Sequence, residues 1–261
     1  MVLKLINIIS LFLFLSCGVL LQKKQAKSIR YNYEKMATND YVEHFSSLAK
    51  IYISSPEINE VKLPHSSIKY LARQYWKLLN NNELFFEQKY APEFHIIKHQ
   101  SPFYFSLPGG HIFFSSALII KYFKNENVFL SALALEAIRT NKSLYKKRVV
   151  IPTGALNTEK MLSLAKLPVE KRIEINKWVF YAMKRSGFDP FALLIWIQTQ
   201  NKNSLDFRLQ QGDLRSVSRE EFLLKSFIAK EGIINKNSRA ASNSSKEFYK
   251  FTSFIKGKNN E

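Results

Sequence analysis

The chain has one cysteine, Cys17, and its five histidines, His44, His65, His95, His99 and His111, leave everything after His111 without an imidazole. A lone cysteine forms no internal disulfide, so no disulfide framework organises the fold. No HExxH zinc motif can occur in the C-terminal half, and a thiolate metal site is excluded with it. Glycine is scarce as well, at eight residues. There is no Gly-rich phosphate loop, since Pro108-Gly109-Gly110 has neither the lysine nor the spacing, and no Gly-x-Ser-x-Gly nucleophile elbow. Acidic residues number 21 against 39 basic ones, a net charge of +18. That imbalance favours anionic surfaces, either lipid headgroups or nucleic acid. The Lys and Arg residues are scattered and not gathered with exposed aromatics, which argues against a nucleic-acid partner.

What is present describes a folded body behind an export segment. Apolar residues make up 46% of the chain and aromatics 14%, above what a disordered chain carries. Leu5 to Ser16, "LINIISLFLFLS", is an apolar run behind Lys4 and reads as a secretory signal over residues 1–16. Leu15-Ser16-Cys17 is similar to a bacterial lipobox, although Phe14 stands where an aliphatic residue is usual. On that reading Cys17 is lipidated, residues 17–39 form the lipidated end and tether, and the chain is held at a membrane of the cell envelope. Gly18 in place of aspartate suits the outer membrane in a Gram-negative host. Two other readings are an uncleaved anchor extended by Val19, Leu20 and Leu21, and a plain cleaved signal. In each case a basic surface keeps the body near anionic lipid.

Periodicity predicts an α+β body over residues 40–234: helices, a small sheet, then more helices. Helical spacing covers Tyr41–Ile53, Ser66–Leu79, Ser116–Phe123, Asn127–Lys142, Pro168–Arg185, Pro190–Gln200 and Arg219–Lys230. Between them Glu83 to Phe114 is rich in Phe, Tyr and Ile and broken by prolines, as short strands and turns are. "RSGFDP" sets Gly187 as a helix stop, Asp189 as the next N-cap and Pro190 as the first helical residue. From Asn235 to Glu261 the chain is mostly Asn, Ser and Lys, and a loose polar tail is expected. "HIIKH", His95 to His99, has the spacing of a helical zinc pair but sits in a β-like stretch, so both residues read as ordinary sheet histidines.

One stretch stands out chemically. From Val128 to Ile138 the single charge is Glu136, set in a helix apolar on nearly every face. A carboxylate there must be paired, hydrogen-bonded, metal-bound or protonated, unless the helix is exposed enough for it to reach water. Before it runs "FYFSLPGGHIFFSSALI", an aromatic strand, a Pro-Gly-Gly turn and a second strand; far after it comes "KRSGFDPFALL". This order resembles the membrane-associated zinc metallopeptidases of the HtpX, BepA and CAAX-prenyl-protease group, over about residues 65 to 230. The resemblance implies a mainly helical, zincin-like metallopeptidase domain with a small sheet and a Pro-Gly-Gly hairpin.

It also implies roles for particular residues. Leu135 and Arg139 stand where the HExxH histidines would be, with Glu136 as the retained general base. Arg172 stands for the glutamate ligand and Asn176 for its companion aspartate. Zinc is expected for the family, yet leucine cannot ligate it and arginine repels it, so no cofactor is expected. One or both guanidinium groups, Arg139 and Arg172, are expected to neutralise Glu136 in the space of the lost ion. The strand Phe103, Tyr104, Phe105, Ser106 and Leu107, with its turn Pro108, Gly109 and Gly110, is where such proteins lay an extended substrate. The expectation is an inactive, pseudoprotease-like lipoprotein that binds polypeptide or an envelope assembly. The alternatives are an active metalloendopeptidase with atypical ligands and an unrelated helical lipoprotein.

Overall fold

The Pro-Gly-Gly hairpin forms because two consecutive residues adopt backbone angles that only glycine takes readily. In the computed structural model, which describes residues 37–86, 89–142, 144–145, 149–211, 214–231 and 244–260, Gly109 has φ 94° and Gly110 φ 97°. A Cβ on Gly110 would lie 2.0 Å from the carbonyl oxygen of Ala91. The turn joins β2 (Tyr104–Leu107) to β3 (His111–Ser115), antiparallel and in register from Tyr104 opposite Phe114 to Leu107 opposite His111. A third strand, β1 (Glu93–Ile97), pairs in parallel on the other side of β3, giving the order β1-β3-β2. The signal segment and Cys17 lie outside the described residues.

Helices cover both faces of this sheet, because side chains alternate across it. On one face Phe105 and Phe113 meet Tyr52, ring centroids 5.9 and 5.6 Å away, from α1 (Thr38–Ile53). On the other face, beyond α2 (His65–Asn80) and the short α3 (Ser116–Tyr122), lies α4 (Glu126–Asn141). Phe114 packs on Phe129 of α4 at 5.9 Å, and the Ser106 hydroxyl donates to the Glu136 carbonyl at 3.1 Å.

The helix α4 is the centre of the molecule. Asn125 caps it, its side-chain oxygen accepting from the Val128 amide, and every residue from Val128 to Asn141 is buried. The sheet covers one side. The others are covered by α2, by α6 (Val169–Arg185) and by α7 (Ala192–Lys202), with α5 (Thr158–Leu164) preceding α6. The hydroxyl of Thr140 locks the hairpin to this helix, donating to the Leu107 carbonyl and accepting from the Gly110 amide at 2.8 Å. Two further helices follow: α8 (Arg208–Gln211) lies against α5, and α9 (Leu214–Lys230) closes over α6 and α7.

Most expected elements form within one to three residues of their anticipated ends, and two expectations are corrected. Gly187 (φ 67°) does stop α6, with the Phe188 amide bonded to the Met183 carbonyl and the Gly187 amide to Lys184. However, α7 starts at Ala192, because Asp189 and Pro190 form a turn first, the Asp189 carboxylate accepting from Phe191. The polar tail is the larger correction: Lys246–Asn260 is a helix, α10. Its Phe248, Phe251 and Ile255 recur at helical spacing and are buried, the two rings within 5.8 Å of Phe129. Ser245 caps it, and both its amide and its hydroxyl bond the Glu126 carboxylate that opens α4. Three apolar residues on one stripe outweighed the polar composition around them.

Gly110→Ala should therefore lower stability by roughly 2–4 kcal/mol through strain and overpacking. Urea denaturation checks this, and a loss under 1 kcal/mol would contradict the close approach to Ala91.

Candidate functional site

Glu136 occupies the middle of α4 because nothing in that helix offers it a wet face. It has no exposed surface at all, so the reading in which it reaches water is excluded. Its Oε1 accepts from Nη1 of Arg139, one turn along, at 2.7 Å. The other carboxylate oxygen and Nε of Arg139 make no hydrogen bond among the described residues. Burial pushes the Glu136 carboxyl above the usual carboxylate range, while Arg139 and the hydroxyl and amide of Ser106 pull it back. Burial is the largest single influence on Arg139 and opposes its charge, but Glu136, Tyr104, Tyr145 and Glu220 together outweigh it, and the guanidinium is held still more firmly protonated than usual. The Arg139 guanidinium lies 6.0 Å from the Tyr104 ring centre, a cation–π contact on its second side.

Of the two arginines expected to neutralise Glu136, singly or together, Arg139 alone does so, and Arg172 does not join the pair. It sits on α6, where its Nε donates to Glu220 of α9 at 2.9 Å and its Nη2 to the Ser216 hydroxyl. Asn176, one turn further on, donates to the other Glu220 oxygen at 2.7 Å. The closest carboxylate captured the guanidinium, and α9 supplies it. Charge separation along the sequence gave no hint of Glu220, which lies 44 residues after Asn176.

Leu135, Arg139 and Arg172 nevertheless line one cavity, together with Tyr104, Gln200 and Glu220. Its free volume is about 40 Å³, room for a few waters and no peptide. The two arginines in its wall are each matched to a carboxylate, and Lys166 also lines it. Three lining or neighbouring groups escaped the sequence reading: Glu220, Gln210 and Tyr145.

The strand β2 is at the edge of the sheet, yet its outward polar groups are occupied. The Gln210 side chain of α8 accepts from the Tyr104 amide at 3.1 Å and donates to the Tyr104 carbonyl at 2.8 Å. The Ser106 carbonyl accepts from the buried Tyr145 hydroxyl at 2.6 Å. Phe103, Tyr104, Phe105, Ser106 and Leu107 are all buried. Two side chains, Gln210 and Tyr145, thus stand where a neighbouring strand would lie.

The donors able to hold a metal ion lie on the opposite face of the sheet. Among the described residues they form one group, Glu93, His95 and His111, with ligand atoms within 4.8 Å of one another. His99 is apart from it, its ring bonded to Ser101. The pairing of His95 with His99 as a zinc motif therefore fails on geometry, because the segment is strand β1 followed by a turn.

No protein-family model matches the sequence, and no curated protein matches it significantly.

A double-mutant cycle tests the ion pair. Glu136→Leu and Arg139→Met should each destabilise by about 3–5 kcal/mol, since each leaves a buried charge alone. Glu136→Leu combined with Arg139→Met should recover most of that loss. Additive losses in thermal or urea denaturation would mean that the two side chains are not coupled.

Proposed function

We propose that this chain is a non-hydrolytic relative of the HtpX and BepA type of zinc metallopeptidase, tethered at the cell envelope through lipidated Cys17, where it holds polypeptide or docks on an envelope assembly. The observation that carries the reading is what stands at the position the resemblance gives to zinc. Leu135, Arg139 and Arg172 come from two helices to one small cavity, as a spent three-ligand site requires, and Glu136 and Glu220 neutralise the two arginines there. A zinc ion needs three or four neutral or anionic donors. Two guanidinium groups and a leucine supply none, so hydrolysis through a metal-bound water has no support at this position.

Binding is what such a wall of groups still allows. The Gln210 amide imitates a single residue of a paired strand on Tyr104, with both a donor and an acceptor in use. It is only partly buried, unlike Tyr145 and Glu136 further along the strand. An extended polypeptide can exchange with it at Tyr104 and continue outward by strand addition. Among the described residues no helix is long and apolar enough to cross a membrane, so attachment in this reading rests on the N-terminus.

Removing the internal competitor tests the groove. Gln210→Ala should tighten binding of fluorescently labelled β-casein by roughly 5-fold, the worth of about 1 kcal/mol of displaced hydrogen bonding, as read by anisotropy and without cleavage. Identical affinity in both proteins would remove β2 as the docking edge. Casein cleavage that disappears in Glu136→Gln would replace this reading with an active enzyme.

A further inference from the structure

On the sheet face away from Glu136, the geometry points to a divalent metal site of the zinc class, held by His95, His111 and Glu93. The strand pairing builds it. Glu93 lies directly opposite His111 across the parallel β1–β3 ladder, and His95 is two residues along β1, so all three side chains share one face. Nε2 of His95 and Nδ1 of His111 face each other at 3.4 Å. Oε2 of Glu93 lies 3.4 Å from that Nδ1 and 4.0 Å from that Nε2. Zinc binds imidazole nitrogen at about 2.0–2.1 Å in tetrahedral geometry, which sets two such nitrogens about 3.4 Å apart. The three donors are therefore already spaced as the corners of one coordination shell.

The outer partners fit the same assignment. A metal-binding histidine needs its second nitrogen fixed by an acceptor. His95 presents Nδ1 to the Glu60 carboxylate at 2.6 Å, and His111 presents Nε2 to the Ser46 hydroxyl at 2.8 Å. With both outer nitrogens donating, the two inner nitrogens carry lone pairs that point at one another, an arrangement that calls for a cation between them. His111 is 1% exposed and His95 8%, so neither is a chance surface histidine. The Glu93 side chain is 58% exposed, which leaves the fourth position on the solvent side, open to water or to a donor from a partner.

The competing arrangement puts a proton in place of the ion. Ser46 then donates to His111, and His111 donates through Nδ1 to His95. The two differ in metal retention. The full-length, untagged chain would be stripped with a chelator and titrated with Zn²⁺, and separately with Co²⁺ read by its visible d–d bands. One equivalent per chain with a tetrahedral cobalt spectrum is the expected result. Glu93→Ala, at an exposed side chain whose loss leaves the core intact, should weaken binding at least 10-fold. Glu60→Gln should weaken it about 10–100-fold by releasing the His95 ring. Arg139→Met should leave it unchanged, which separates this site from the cavity around Glu136. Failure of the wild-type chain to retain metal, or equal retention by Glu93→Ala and Glu60→Gln, would overturn the assignment.

Discussion

A carboxylate placed where water cannot reach governs much of this structure. Glu136 sits on a helix buried along its length, and among the described residues only Arg139, three residues on, lies within hydrogen-bonding distance of it with opposite charge. A pair of this kind adds little net stability, but it constrains its surroundings strongly, because either partner alone would be a stranded charge. The groups around it follow from that constraint. Ser106 turns its hydroxyl to the Glu136 carbonyl, Tyr104 presents its ring to the guanidinium, and Tyr145 closes the remaining side with a bond to the Ser106 carbonyl. Edge strand and central helix are fixed relative to each other by this cluster and by Thr140 one turn below.

The sheet then divides the molecule chemically. On the α4 side, two arginines are each matched to a carboxylate, Arg139 to Glu136 and Arg172 to Glu220, and the enclosed space of about 40 Å³ has room for only a few waters. On the α1 side, two histidines and a carboxylate bring their ligand atoms within 4.8 Å of one another. A lost metal site, as proposed above, would account for the first. The second follows from strand register and needs no ancestry at all.

Much of the fold was legible in the sequence because helices announce themselves locally. Asn125 before a polar-to-apolar change, Gly187 after the last apolar repeat, and Pro-Gly-Gly between two aromatic runs are each short-range signals. The last helix was misread because a polar composition hid the stripe of Phe248, Phe251 and Ile255, which the spacing alone reveals. The burial of Glu136 and its pairing with Arg139 were also legible, being a matter of one helical turn. The capture of Arg172 by Glu220 was not, since nothing in the sequence says which of several carboxylates a distant helix will present. The parallel pairing of β1 with β3 was equally hidden, and without it His95 and His111 are merely two histidines 16 residues apart.

The central claim is that guanidinium groups and their carboxylates have taken the room of a metal beside Glu136. Anomalous diffraction from crystals soaked in Zn²⁺ addresses it most directly. The account predicts no zinc peak within the cavity bounded by Leu135, Arg139 and Arg172, with Arg139 still bonded to Glu136. A zinc ion coordinated there by Glu136 or Glu220, with the arginines swung aside, would contradict it.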